Sequence, residues 1–152
     1  MNALAIILTL VVVFLGLFVG IALAFIAPEE LKAGRKYFKW FKTILLLLMI
    51  AGMVYFGVDL YLAVLNIFML AAFYMFEKEY WVLGFVLLSS NVSSEAFFIQ
   101  SALAFIYGLP EGTLFAENII KKKKTEILFR AFKHYNWFLV FSIIMFLISL
   151  NA

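Results

Sequence analysis

The sequence predicts an all-α integral membrane protein: a bundle of four transmembrane helices with a juxtamembrane amphipathic helix. Three observations carry that prediction. Apolar residues fill 67% of the 152 positions, far above the roughly half expected of a soluble domain. Charge is scarce, and apart from Lys78 every Lys and Arg falls in the segments 28–42 and 109–135. Outside these segments run apolar stretches that, except for the last of about 16 positions, reach the ~20 residues or more that a helix needs to cross a ~30 Å hydrocarbon layer. A chain of this length makes one domain.

Composition also excludes chemistry. The absence of cysteine removes disulfides, thiolate metal sites and thiol redox reactions. The single histidine, His134, lies in a basic segment, so neither a haem nor a histidine-built metal centre is expected inside the membrane, and no cofactor is predicted. The cations lie beside apolar runs, which makes anionic lipid headgroups a more economical partner than nucleic acid.

The first span is predicted at 3–27, too long and too poor in leading cations for a secretory signal. Within it Gly16-Leu17-Phe18-Val19-Gly20 is a GxxxG pattern that lets another helix approach closely. Pro28-Glu29-Glu30 resembles a helix start. From there Lys32, Arg35, Lys36, Lys39 and Lys42 share one helical face, and Leu31, Gly34, Tyr37, Phe38 and Phe41 the other. This pattern describes a helix lying in the interface with its cations on lipid headgroups, or equally an extension of the next span.

The runs 43–76 and 81–108 each admit two readings. As single helices they are longer than one bilayer requires; as hairpins, turning at Gly57-Val58-Asp59 and at Ser89 to Glu95, their arms are short. The two basic segments are both expected on the cytoplasmic side, which demands an even number of crossings between them. Two long helices satisfy this, as do two hairpins. The single helices are favoured, because a turn in lipid leaves backbone groups unpaired. The link Glu77-Lys78-Glu79-Tyr80 is then external, and both termini are external.

Gly108 to Gly112, GLPEG, has the composition of a turn. The segment 109–134 is a basic collar in which Lys121, Lys122, Lys123 and Lys124 would grip anionic lipid, with Glu126 and Arg130 at helix-supporting spacing. A last span is predicted at 135–150. Tyr37 with Trp40, Tyr80 with Trp81, and Tyr135 with Trp137 read as interfacial anchors.

If 43–76 and 81–108 are single antiparallel helices, Asp59 and Glu95 share the bilayer midplane. An ionisable group there is costly and by default marks a functional site. Asn66, Asn91, Tyr55 and Ser94 lie on the same faces, which suggests a proton or hard-cation site made of oxygen ligands. Two other readings stand beside it: neutral carboxyls acting as hydrogen-bonded helix glue, or exposed turns in which Asn91-Val92-Ser93 is an accessible glycosylation triplet.

The size and four-span layout are similar to the glutathione-handling membrane enzymes of eicosanoid metabolism and to small multidrug transporters. The similarity is architectural only, since the Arg- and Asn-containing span motif of the former has no match here and the first span lacks the carboxylate of the latter. No nucleophile–base pair, HExxH or phosphate-binding glycine loop occurs, so no enzymatic activity is expected. The sequence favours a non-catalytic interaction or accessory subunit that forms a homo-oligomer or joins a larger membrane complex. The alternative is a small proton- or cation-coupled transporter built on Asp59 and Glu95.

Overall fold

A computed structural model describes residues 3–119 and 123–151, and among these all regular secondary structure is helical. The elements are α1 (Ala3–Ile26), α2 (Glu30–Tyr55), α3 (Leu60–Met75), a single 3-10 turn (Glu79–Val82) that leads into α4 (Leu83–Ser89), α5 (Ser94–Ile119) and α6 (Lys124–Asn151). Among the described residues the chain is a helical bundle of six α-helices rather than four. The helices at Leu4–Ile26 and Glu30–Tyr55 are long and apolar enough to cross a membrane.

Both long apolar runs break into hairpins, which corrects the reading of 43–76 and 81–108 as single helices. The first break is built by backbone chemistry. Gly57 adopts φ +67, its N–H donates to the Val54 carbonyl, and the Val58 N–H donates to that of Met53 at 3.0 Å. These two bonds form a Schellman motif, which closes a helix where glycine can enter the left-handed region. Asp59 then accepts from the N–H groups of Tyr61 and Leu62 at 3.0 and 3.3 Å, so it is the N-cap of α3. At the second break Ser93 accepts from the Ala96 N–H at 3.1 Å and caps α5 in the same way.

A third stop is less expected. The α3 terminus repeats the Schellman bonds, Lys78 N–H to Phe73 and Glu77 N–H to Tyr74, but the left-handed position is held by Glu77 at φ 54. The tight exit turns the following residues, Glu79 and Tyr80, back into the bundle, where both are buried.

GLPEG is not a turn. It lies inside α5, with Pro110 in the helix interior, where a proline costs one hydrogen bond and roughly 3 kcal/mol. Close packing offsets that cost. A Cβ at Gly16 would lie 2.5 Å from the Phe105 carbonyl oxygen, and one at Gly108 2.7 Å from the Leu17 nitrogen; at Gly20 and Gly112 it would run into the Leu109 and Leu17 carbonyl oxygens. The predicted GxxxG therefore does seat a helix, and its partner is a second GxxxG, Gly108 to Gly112, in the same chain. Thr113 locks the pair by donating to the Gly20 carbonyl at 3.0 Å.

Those contacts pair Gly16 with Phe105 and Gly20 with Leu109, so α1 and α5 run parallel. On α2 the order reverses: Met49 meets Gln100 and Lys42 meets Glu111. Tyr74 of α3 bonds Thr43 of α2 at 3.1 Å, and Tyr135 of α6 bonds Glu111. Hence α1, α3 and α5 rise from one end while α2, α4 and α6 return to it. The turns 56–59 and 90–93 lie at the lower end with the start of α1 and the end of α6. The loops near 27–29 and 76–79 lie at the upper, basic end with the end of α5 and the start of α6. The link Glu77 to Tyr80, expected opposite the basic segments, is therefore beside them. The amphipathic stretch 30–42 is no separate helix but the first half of α2.

Candidate functional site

The polar heart of the molecule lies in the upper half of the bundle. On α2 the buried stripe runs Lys42, Leu45, Leu46, Met49 and Met53, a helical spacing that places Lys42 on the inward face of an otherwise apolar row. On α5 the residues Gln100, Ala104, Tyr107 and Glu111 form a matching buried stripe. On α6 Ile127, Ala131, Tyr135, Phe138 and Ser142 do the same. The three stripes bring Lys42, Glu111 and Tyr135 together, and the tight exit from α3 delivers Glu79.

Lys42 Nζ lies 2.6 Å from Glu79 Oε1 and pairs equally closely with Glu111 Oε2. The side chains are 11%, 2% and 7% exposed respectively, which makes this a buried triad carrying one formal negative charge. Each carboxylate has a second partner. Tyr107 donates to Glu79 Oε1 at 2.6 Å, and Tyr135 donates to Glu111 Oε1 at 2.5 Å. The Lys42 ammonium also sits 5.4 Å from the Tyr107 ring centroid. Beneath the triad Tyr80, Tyr135 and Phe138 pack edge to face or tilted, at 5.2 to 5.3 Å from Tyr80, and the Tyr80 hydroxyl donates to the Val13 carbonyl at 3.3 Å. Charge-assisted bonds in so dry a setting are among the strong ones, and here they tie α2, the 3-10 turn, α5 and α6 to one point.

Above the triad opens a cleft of about 340 Å³. Its walls carry Arg35, Lys39 and Lys42 from α2, and Glu77, Glu79 and Glu111 from the other side. Looser pairs span its rim: Lys39 with Glu77 at 3.7 Å, and beside it Arg35 with Glu117 at 3.8 Å. Both cations there are about half exposed, at 53% and 52%. Ordered from the triad outward, the pairs thus pass from tight and dry to loose and wet.

Of the residues proposed from sequence as a mid-depth cation site, all but Asn66 are exposed. Asp59 caps α3 in an exposed turn, Glu95 is exposed in the first turn of α5, Asn91 and Ser94 are exposed beside it, and Tyr55 is 83% exposed. Both carboxylates belong to the turn end of the bundle, because the two helices expected to carry them are hairpins. Asn66 is buried, but it bonds Ser89 at 2.6 Å across α3 and α4. Replacing Asp59 with alanine is expected to cost ~1 kcal/mol of stability through the lost cap, while Asp59→Asn costs only a few tenths. Denaturant titration of both variants checks this, and equal losses would remove the capping role.

Of the predicted headgroup contacts, Lys32, Arg35, Lys36 and Lys39 are exposed, as are Lys123 and Lys124, whereas Lys42 is turned inward. Lys121 and Lys122 lie outside the described residues. Arg130 pairs with Glu126 at 2.9 Å, at the spacing read from the sequence. Tyr37 and Trp40 are exposed, but Tyr80 and Tyr135, expected as interfacial anchors, are buried in the aromatic floor. Comparisons with protein-family models, curated proteins and solved structures find no match to this chain.

Proposed function

We propose that the chain is a multi-pass membrane bundle with a non-catalytic role, an interaction or accessory subunit that associates with itself or with a larger membrane complex. The observation that carries the membrane part is an inversion of the usual surface. Large apolar side chains such as Leu8, Leu47, Leu48, Phe68 and Ile143 face outward along the helices, while the buried groups include Lys42, Glu79 and Glu111. A monomer in water rarely exposes contiguous apolar surface on that scale.

The non-catalytic part is supported by the pairing within the buried network: its ammonium is engaged by two carboxylates, and each carboxylate also accepts from a phenol. Pairing of this kind holds helices in register. Glu111 lies roughly 25 Å along α5 from Ser94 at ~1.5 Å per residue, which sets the triad near the basic edge of a ~30 Å hydrocarbon layer. In this reading the basic end is cytoplasmic, Lys32 and Lys36 meet anionic headgroups, and the turn end with both termini is external.

Two measurements test the proposal. The protein is expected to stay in the membrane fraction through alkaline carbonate washing and to leave it only in detergent. Cross-linking in native membranes is expected to give species heavier than the 17.4 kDa chain. Release by carbonate would remove the membrane reading, and a strictly monomeric product would remove the association reading.

A further inference from the structure

We propose that the cleft above the triad binds a zwitterion in which a phosphate is joined through a short linker to a primary ammonium. The first argument is charge. The cleft is lined by three cations, all on α2, and three carboxylates, all on other elements. A ligand bearing charge of one sign alone would leave one wall uncompensated in a partly desolvated setting, which is costly. A ligand with separated opposite charges matches both walls.

The second argument is an unmet bond. Glu79 lines the cleft, and its Oε2 is buried without a hydrogen-bond partner. A buried carboxylate oxygen left bare needs an explanation, and a primary ammonium supplies the donor; a quaternary ammonium has no N–H to give. The anionic half of the ligand falls to Arg35 and Lys39. Their present pairings, at 3.8 and 3.7 Å with each cation half exposed, are of the water-screened kind worth ~0–1 kcal/mol, so a phosphate group can displace them. Phe115, stacked on His134 at 5.8 Å between ring centroids, offers an apolar wall for the linker. The volume, about 340 Å³, is at the small end of ligand pockets and suits a headgroup-sized molecule.

Two sources share this chemistry: the headgroup of phosphatidylethanolamine in the surrounding leaflet, and free phosphoethanolamine. The lipid source rests on the membrane reading above. The soluble probe does not, since it addresses the cleft in detergent solution, so failure of the site and failure of the membrane reading are distinguishable.

The test follows the unfolding midpoint of the detergent-purified chain by tryptophan fluorescence while phosphatidylethanolamine, phosphatidylcholine, phosphatidylglycerol or phosphoethanolamine is titrated. At a hundredfold excess over Kd a specific ligand is expected to raise the midpoint by roughly 5–10 °C. A rise with phosphatidylethanolamine and phosphoethanolamine supports the site for either source; a rise with the lipid alone supports it and assigns the source to the membrane. Each variant is compared with its own ligand-free midpoint. The rise is expected to vanish in Arg35→Gln/Lys39→Gln and to persist in Lys32→Gln/Lys36→Gln, which removes the same charge from the same helix outside the cleft. No rise with either ethanolamine compound, an equal rise with phosphatidylcholine or phosphatidylglycerol, or a full rise in Arg35→Gln/Lys39→Gln overturns the proposal.

Discussion

Replacing Lys42 with methionine is expected to destabilise the protein by about 3–5 kcal/mol, the usual cost of removing one partner from a buried ion pair. Methionine keeps nearly the volume of lysine, so the loss is electrostatic rather than a cavity. It leaves Glu79 and Glu111, almost fully buried, with a phenol each and no cation. The triple variant Lys42→Met/Glu79→Gln/Glu111→Gln is expected to recover most of that loss, because Tyr107 and Tyr135 can still donate to the amide oxygens while the buried charge is gone. Denaturant unfolding in detergent measures both. A Lys42→Met protein within ~1 kcal/mol of the parent would show that the triad carries little of the fold.

The second large effect is expected at the α1–α5 seam. Gly112→Val places a branched side chain where even a Cβ would run into the Leu17 carbonyl oxygen. That neighbour is backbone and cannot swing aside, so the helices must separate. Overpacking of this kind costs typically ~1–3 kcal/mol and occasionally more, and the loss of the adjacent Thr113 bond to Gly20 adds about 1 kcal/mol. Gly34→Ala is the control, since its added Cβ meets only the Phe38 ring, a side chain that can move. Equal unfolding midpoints for Gly112→Val and Gly34→Ala would show that the seam is not close-packed.

Much of this architecture was legible in the chain, but not at the points that decide the site. The GxxxG of α1 was visible as a motif. Its partner was not, because Gly108-Leu-Pro-Glu-Gly112 also has the composition of a turn, and only the backbone of α1 against it makes the helical reading cheaper. The hairpin turn was spelled out in Gly57-Val58-Asp59, a left-handed position followed two residues later by an N-cap. The long-helix reading rests on the cost of short arms and of turns in lipid. The structure meets that cost with capping bonds at the exposed turn end of the bundle.

The buried triad was missed for a related reason. Lys42 sits at the end of a run of lysines and arginines on one amphipathic face, so from sequence it reads as one of the headgroup cations. The available signal was phase: Lys42 also continues the inward row of Leu45, Met49 and Met53. Glu111 was hidden inside the supposed turn. Glu79 depends on a left-handed Glu77, a conformation that a non-glycine residue seldom adopts and that nothing in the local sequence announces. Asn66 and Ser89 could each be seen as polar residues in apolar runs, but pairing them required knowing that both runs are hairpins.

The two-hairpin arrangement is the claim on which the rest depends, and the absence of native cysteine makes it directly accessible to thiol labelling. Single cysteines at positions 59, 95 and 36 are exposed to a membrane-impermeant maleimide from each side of sealed vesicles. The account predicts that 59 and 95 react from the same side and 36 only from the other. Protection of 59 or 95 from both sides would place that residue within the lipid and contradict the arrangement.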